Sequence, residues 1–185
     1  PAFNDGDYYD APAGQGPHRG MGLARRIAHL THPSETELDL RFGRSPQQDE
    51  DPYGDDGSRS RGRFAVESYL DHHADKLARR FDANTYVALT EAMSLFDVGR
   101  GRGGVASALA TIHAPLTVVG IDSDRLFPLR LQSELVELTP GADELHVLRS
   151  PYGHDGFLVE DEQAGAFIHH AIERATSDQR GHPRP

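Results

Sequence analysis

An α/β fold is predicted, on three observations. Residues 20–97 carry their apolar side chains at helical spacing, with no strand-like run among them. Residues 115–175 then alternate short runs rich in β-branched residues with helical stretches, in the order β-α-β-α. Turn residues punctuate that alternation, above all Pro140-Gly141. A chain of 185 residues is long enough for one core, or a core with a small appendage.

The elements follow in order. Leu23, Ile27 and Leu30 form a first helical stripe. Ser34-x-x-Glu37 reads as a capping box ahead of Leu38 and Phe42. Val66, Leu70, Leu77 and Phe81 make a third stripe, and Tyr86, Leu89, Met93 and Phe96 a fourth. Between the second and third lies SPQQDEDPYGDDGSRSRGR, polar and rich in Pro, Gly and Asp, which reads as a mobile acidic loop at about 45–62. Residues 1–104 are thus expected to form a helical subdomain. PLTVVGI (115–121) has the look of a buried parallel strand. RLQSELVEL follows as a helix, ELHVLRS (144–150) as a second strand, and EDEQAGAFIHHAIERA as a final helix. Residues 105–176 make the β-α-β-α part, and 177–185 a frayed tail.

Composition excludes several functions. A formal charge of −10 makes the chain a poor binder of nucleic acid or anionic membrane. With no cysteine there is neither a disulfide nor a thiolate metal site, which suits a cytoplasmic location. No apolar stretch approaches the length that spans a bilayer. The chain opens on PAFNDGDYYD without an initiator methionine, as a fragment or processed piece would.

In open parallel sheets, ligands sit beyond the carboxyl ends of the strands. IDSDRLFP and SPYGHDGF occupy those positions, so the aspartates near 122 and His154 should face a site. Other motifs read more plainly. GRGRGG (99–104) matches a dinucleotide fingerprint, but a helix precedes it where a strand is required. It reads as a flexible crossing, where Arg100 or Arg102 could hold a ligand's phosphates. DEDPYGDDGS fails as a calcium loop, since Tyr53 holds a ligand position and Ser60 the place of the bidentate acid. His29, His32, His72, His73, His169 and His170 read as surface residues, and no metal set is expected.

DVGRGRGG, VVGIDSDRLFP and SPYGHDGFL, with ESYLDHHADKLARRFDANTYVALTEAM before them, resemble the carboxyl-terminal half of homoserine O-acetyltransferase. The resemblance runs from GDYYD and ARRIAHLTH to the last helix. It implies an α/β-hydrolase fold with an inserted helical lid, acting as a homodimer through the lid helices. It also implies acetyl transfer from acetyl-CoA, a co-substrate rather than a resident cofactor, to the hydroxyl of L-homoserine for methionine synthesis.

Carried over by that resemblance, His154 is the triad base and Asp124 its orienting partner, while Asp122 is structural. Asp155 and Arg25 match substrate-binding positions. Arg25 and Arg26 point about 100° apart on a helix, so at most one faces a pocket. The nucleophile departs from the pattern. No G-x-S-x-G turn occurs here, and Ser107 in GVASA begins a helix. The nucleophilic serine and the oxyanion donors are therefore expected in an upstream half of the same polypeptide. The open alternatives are a related enzyme using succinyl-CoA, a serine acceptor or water, and an inert dimerisation module.

Overall fold

The computed structural model describes residues 3–12, 14–54 and 62–181, with side chains to residue 177. The chain forms two compact units, Pro1–Thr31 with Leu38–Phe96, and His32–Glu37 with Asp97–Pro185. The division falls between Phe96 and Asp97 rather than at 104/105, and six residues from amid the helical half join the second unit.

The first unit is helical. A 3-10 turn at Asn4–Gly6 precedes α1 (His18–Thr31), α2 (Glu35–Arg41) begins within the other unit, and α3 (Ala65–Arg80) and α4 (Ala83–Leu95) follow. α1 and α3 approach closely because small residues meet. A Cβ on Gly22 would lie 3.4 Å from that of Ala74, which is 1% exposed. Arg26 joins the same helices through an ion pair to Asp71 at 2.7 Å. Met21, Leu77 and Ala83 form the core, with Tyr8, Ala78, Phe81 and Tyr86 packed on it. The predicted stripe of Leu23, Ile27 and Leu30 faces outward, since Met21 and Gly22 turn the opposite side of α1 inward. Asp82 caps α4 by accepting from Thr85 N at 2.8 Å, and Tyr8 donates to its other oxygen. In the acidic loop, Pro46 pairs with Phe64 and Glu50 with Arg63 at 2.5 Å. Residues 55–61 of that loop, including the Ser60 of the rejected calcium pattern, lie outside the described residues.

The second unit builds the sheet. After a turn at 97–104 come α5 (Val105–Leu109), β1 (Leu116–Ile121), α6 (Leu129–Leu138), β2 (Ala142–Leu148), α7 (Gly156–Val159) and α8 (Asp161–Gly181). GRGRGG is a hydrogen-bonded turn between helices, with Gly101, Gly103 and Gly104 at positive φ and Arg102 bonded to Val98 O. β1 and β2 pair in parallel, from Leu116 against Ala142 to Ile121 against Leu148, across the α6 connection. Leu148, Val118 and Ile121 are buried at 1%, 6% and 7% exposure, as the apolar runs predicted. The tail predicted from 177 instead continues α8 through Gly181, and residues 182–185 lie outside the described residues.

Candidate active site

The paired ends of β1 and β2 bring the two predicted loops together. Asp122 Oδ1 accepts from Ser150 N at 3.1 Å, tying the strand exits to each other. The chain then turns, Asp124 N donating to Ile121 O at 3.2 Å. Asp124 Oδ1 accepts the backbone N–H groups of Leu126 and Phe127 at 2.8 and 2.9 Å. Those two bonds fix the carboxylate plane and leave Oδ2 aimed at His154 Nδ1, 2.9 Å away. The Asp124 side chain is 5% exposed and that of His154 28%. A carboxylate accepts only, so Nδ1 carries the proton, and in the neutral ring Nε2 is the nitrogen with the lone pair. Nε2 has no hydrogen-bond partner among the described residues.

The histidine loop is more ordered than a glycine-flanked stretch suggests. Ser123 Oγ donates to Ser150 O and accepts from Gly153 N at 3.0 Å. Gly153–Asp155 form a 3-10 turn that runs into α7. Gly153 has φ +63°, and a Cβ there would sit 2.4 Å from His32 O, so only glycine fits. The His154 ring lies among Phe127, His32 and Phe157, with centroids 5.3, 5.6 and 6.0 Å away. Beside it is a cavity of about 200 Å³, lined by Ile121, Asp124, Phe127, Gln132, His154 and Phe157 among others.

The remaining candidates are less gathered. Asp155 follows His154 in the 3-10 turn and is exposed. Arg25 belongs to the first unit, half-buried on α1. Arg26 is committed to Asp71 through Nε and Nη2 (3.2 and 2.7 Å), whereas Arg25 makes no hydrogen bond or ion pair among the described residues. Ser107 lies exposed on α5.

Several histidines expected at the surface have partners. His29 bonds Tyr69 Oη at 2.9 Å and stacks on His73 at 4.1 Å. Burial, then the charges of His72, Arg25, Lys76 and Arg41, push the His73 imidazole below its ordinary pKa. His146 and His170 both reach Asp143 Oδ2, at 3.1 and 2.9 Å. This is a metal-type donor set, but Arg174 Nη1 stands 3.1 Å from the same oxygen and supplies the cation itself. Burial raises the Asp143 pKa, yet the bonds from His170 and His146 and the charge of Arg174 outweigh it and hold the carboxyl low. We read this group as an ion-pair network fastening α8 to β2.

The deciding comparison is with curated proteins. The chain is 58% identical over 168 residues to homoserine O-acetyltransferase of Thermobifida fusca, covering 91% of this chain and 42% of that protein. It is 52% identical over 175 residues to that of Mycobacterium leprae, covering 95% and 44%. The chain is homologous to homoserine O-acetyltransferases, over their carboxyl-terminal part. It spans less than half the length of these relatives. No protein-family model matches it. Among solved structures, homoserine O-acetyltransferase of Bacillus anthracis superposes with a TM-score of 0.70 at 20% identity, over 91% of this chain and 44% of that one. Esterase E22 gives 0.71 at 21% identity, over 92% and 46%. An acetylester hydrolase of Corynebacterium glutamicum gives 0.63 at 24%, over 91% and 46%. These likenesses show the α/β-hydrolase fold, which homoserine O-acetyltransferase shares with esterases.

The sequence reading missed the segment at His32–Ser34 and the bracing hydroxyl of Ser123. In the sequence Ser34 shows only as a helix cap; its burial and its bond to Pro151 O, which reveal the second role, emerge only in the fold.

Proposed function

We propose that this chain is the carboxyl-terminal part of an acyltransferase that moves an acetyl group from acetyl-CoA to the hydroxyl of L-homoserine. The observation that carries this reading is the His154 Nδ1 to Asp124 Oδ2 bond at the carboxyl ends of two parallel strands. His154 Nε2 takes the proton of a serine that lies upstream in the full-length protein, as that serine attacks the thioester. Asp124 holds the tautomer and stabilises the imidazolium. CoA leaves with the proton returned by His154, and homoserine enters. His154 then takes the proton of its hydroxyl as it attacks the acetyl-enzyme, and returns that proton to the departing serine oxygen as O-acetylhomoserine is released.

Water competes for that intermediate, so transfer needs a site closed to solvent, the role we assign to the helical unit as a lid. Arg25 grips the homoserine carboxylate with two parallel hydrogen bonds, and Asp155 its ammonium. The outward apolar faces of α1 (Leu23, Ile27, Leu30) and α4 (Leu89, Met93), with Phe96 just past the end of α4, support a homodimer through these helices. We place the protein in the cytoplasm, in methionine synthesis. No described helix is long and apolar enough to cross a membrane.

Asp143 shows that a carboxylate–imidazole contact can be structural. The Asp124–His154 pair, however, stands at the carboxyl ends of the strands beside a cavity, with no arginine among the described residues sharing its carboxylate, and this placement favours catalysis over the inert dimerisation module. Steady-state kinetics of the full-length protein test the assignment. Acetyl-CoA with homoserine should give the highest kcat/KM among acetyl and succinyl donors and homoserine, serine and water acceptors. Preference for succinyl-CoA, for serine or for water would reassign it within the same fold.

A further inference from the structure

The six residues His32–Glu37 lie in sequence between helices of the first unit, yet pack within the second. Their contacts converge on the His154 loop. His32 O accepts the backbone N–H of His154 at 2.8 Å. Ser34 Oγ donates to Pro151 O, and accepts Glu37 N at 3.0 Å, so its one proton is directed at the loop. Arg125, just past Asp124, donates through Nη2 to Pro33 O at 3.0 Å. Pro33 and Ser34 are buried, Ser34 to 4% exposure, and the His32 ring lies 37° from the plane of the His154 ring. The fit is tight, since a Cβ on Gly153 would meet His32 O, Ser34 N and Pro33 C at 2.4 to 2.8 Å.

We propose that residues 32–34 are a strap that sets the position of His154, with Ser34 as its positioning residue. The inference rests on the reading of His154 as general base. Ser123 braces the loop through Gly153 and Ser150, while the strap holds it through Pro151 and His154 itself. Neither Ser34 nor Pro33 touches the reacting atoms. They act by holding the imidazole where Nδ1 meets Asp124 and Nε2 meets a nucleophile, a geometry in which a misplacement of about 1 Å is costly.

The test uses the full-length protein with Ser34→Ala, Ser34→Thr and Arg125→Met. Three quantities are read: kcat and acceptor KM for acetyl transfer, kcat for hydrolysis of p-nitrophenyl acetate, and the NMR resonance of the His154 Nδ1 proton in ¹⁵N-histidine-labelled protein. Ser34→Ala should lower kcat in both reactions roughly ten-fold, leave acceptor KM within about two-fold, and weaken or move the Nδ1 resonance. Ser34→Thr, which keeps the hydroxyl, should restore most of the rate. Arg125→Met, at a half-exposed side chain, should show a smaller effect of the same kind and serves if Ser34→Ala does not fold. A wild-type kcat in both variants would overturn the proposal. So would a loss of rate with the Nδ1 resonance unmoved, because the effect would then bypass His154. If the wild type hydrolyses the ester but does not acetylate homoserine, the transfer reading fails while the ester and NMR arms still decide the strap.

Discussion

Asp124 and Asp122 stand two residues apart and do different work. Asp124 spends one oxygen on the Leu126 and Phe127 amides and the other on His154, whereas Asp122 joins the strand ends through Ser150 N. In Asp124→Asn the amide oxygen keeps the two backbone bonds, and the NH₂ group turns toward Nδ1. The imidazole then shifts its proton to Nε2 and cannot act as base. We predict a fall in kcat of roughly 10³–10⁴ with substrate KM little changed, read by steady-state kinetics of the full-length protein. Asp122→Asn keeps an acceptor for Ser150 N and should cost less than about ten-fold. The sequence alone left these aspartates open, and the resemblance chose Asp124. Bond partners separate them physically. Bond partners likewise fit the proposed acceptor role of Arg25, because Arg26 is occupied by Asp71; Arg25→Lys should raise homoserine KM while preserving the acetyl-CoA burst. An unchanged homoserine KM would remove Arg25 from the acceptor site.

Helix α4 illustrates how one residue fixes an element. The Asp82 carboxylate accepts from the Tyr8 hydroxyl first, then from Thr85, and its pKa falls to about 2. A carboxyl depressed on folding stabilises the native state above its unfolded pKa of about 3.9, and that contribution fades as pH falls toward 2. An NMR titration should therefore find the Asp82 midpoint near 2, and Tyr8→Phe should raise it toward the ordinary carboxylate range. A midpoint unmoved by Tyr8→Phe would refute the assignment of cause. Element type was legible from spacing, because the 3.6-residue period and the β-branched runs reflect burial against a core. The burial side of α1 was not, since Leu23, Ile27 and Leu30 satisfy the same period as the face carrying Met21. The short turns around His154 also escaped, for glycines usually signal breaks. Gly156 instead sits in helical geometry at φ −53°, chosen because a Cβ would press on Ser150 at 2.9 Å.

At the scale of the whole molecule, the described residues hold His154 and Asp124, the proposed base and its orienting acid, at the end of a two-stranded sheet. Two strands are few for an independent parallel sheet, and no G-x-S-x-G turn occurs in the sequence. The 185-residue chain by itself should therefore release no CoA from acetyl-CoA and homoserine, and should gain activity when combined with the upstream half. Turnover by this chain alone, abolished by His154→Ala, would mean that its nucleophile lies within residues 1–185. The most direct measurement is mass spectrometry of the full-length protein mixed with acetyl-CoA in the absence of acceptor. An acetyl group is expected on a serine upstream of this chain, discharged by added homoserine and lost in His154→Ala. Equal acetylation of wild type and His154→Ala, or acetylation of a residue within this chain, would contradict it.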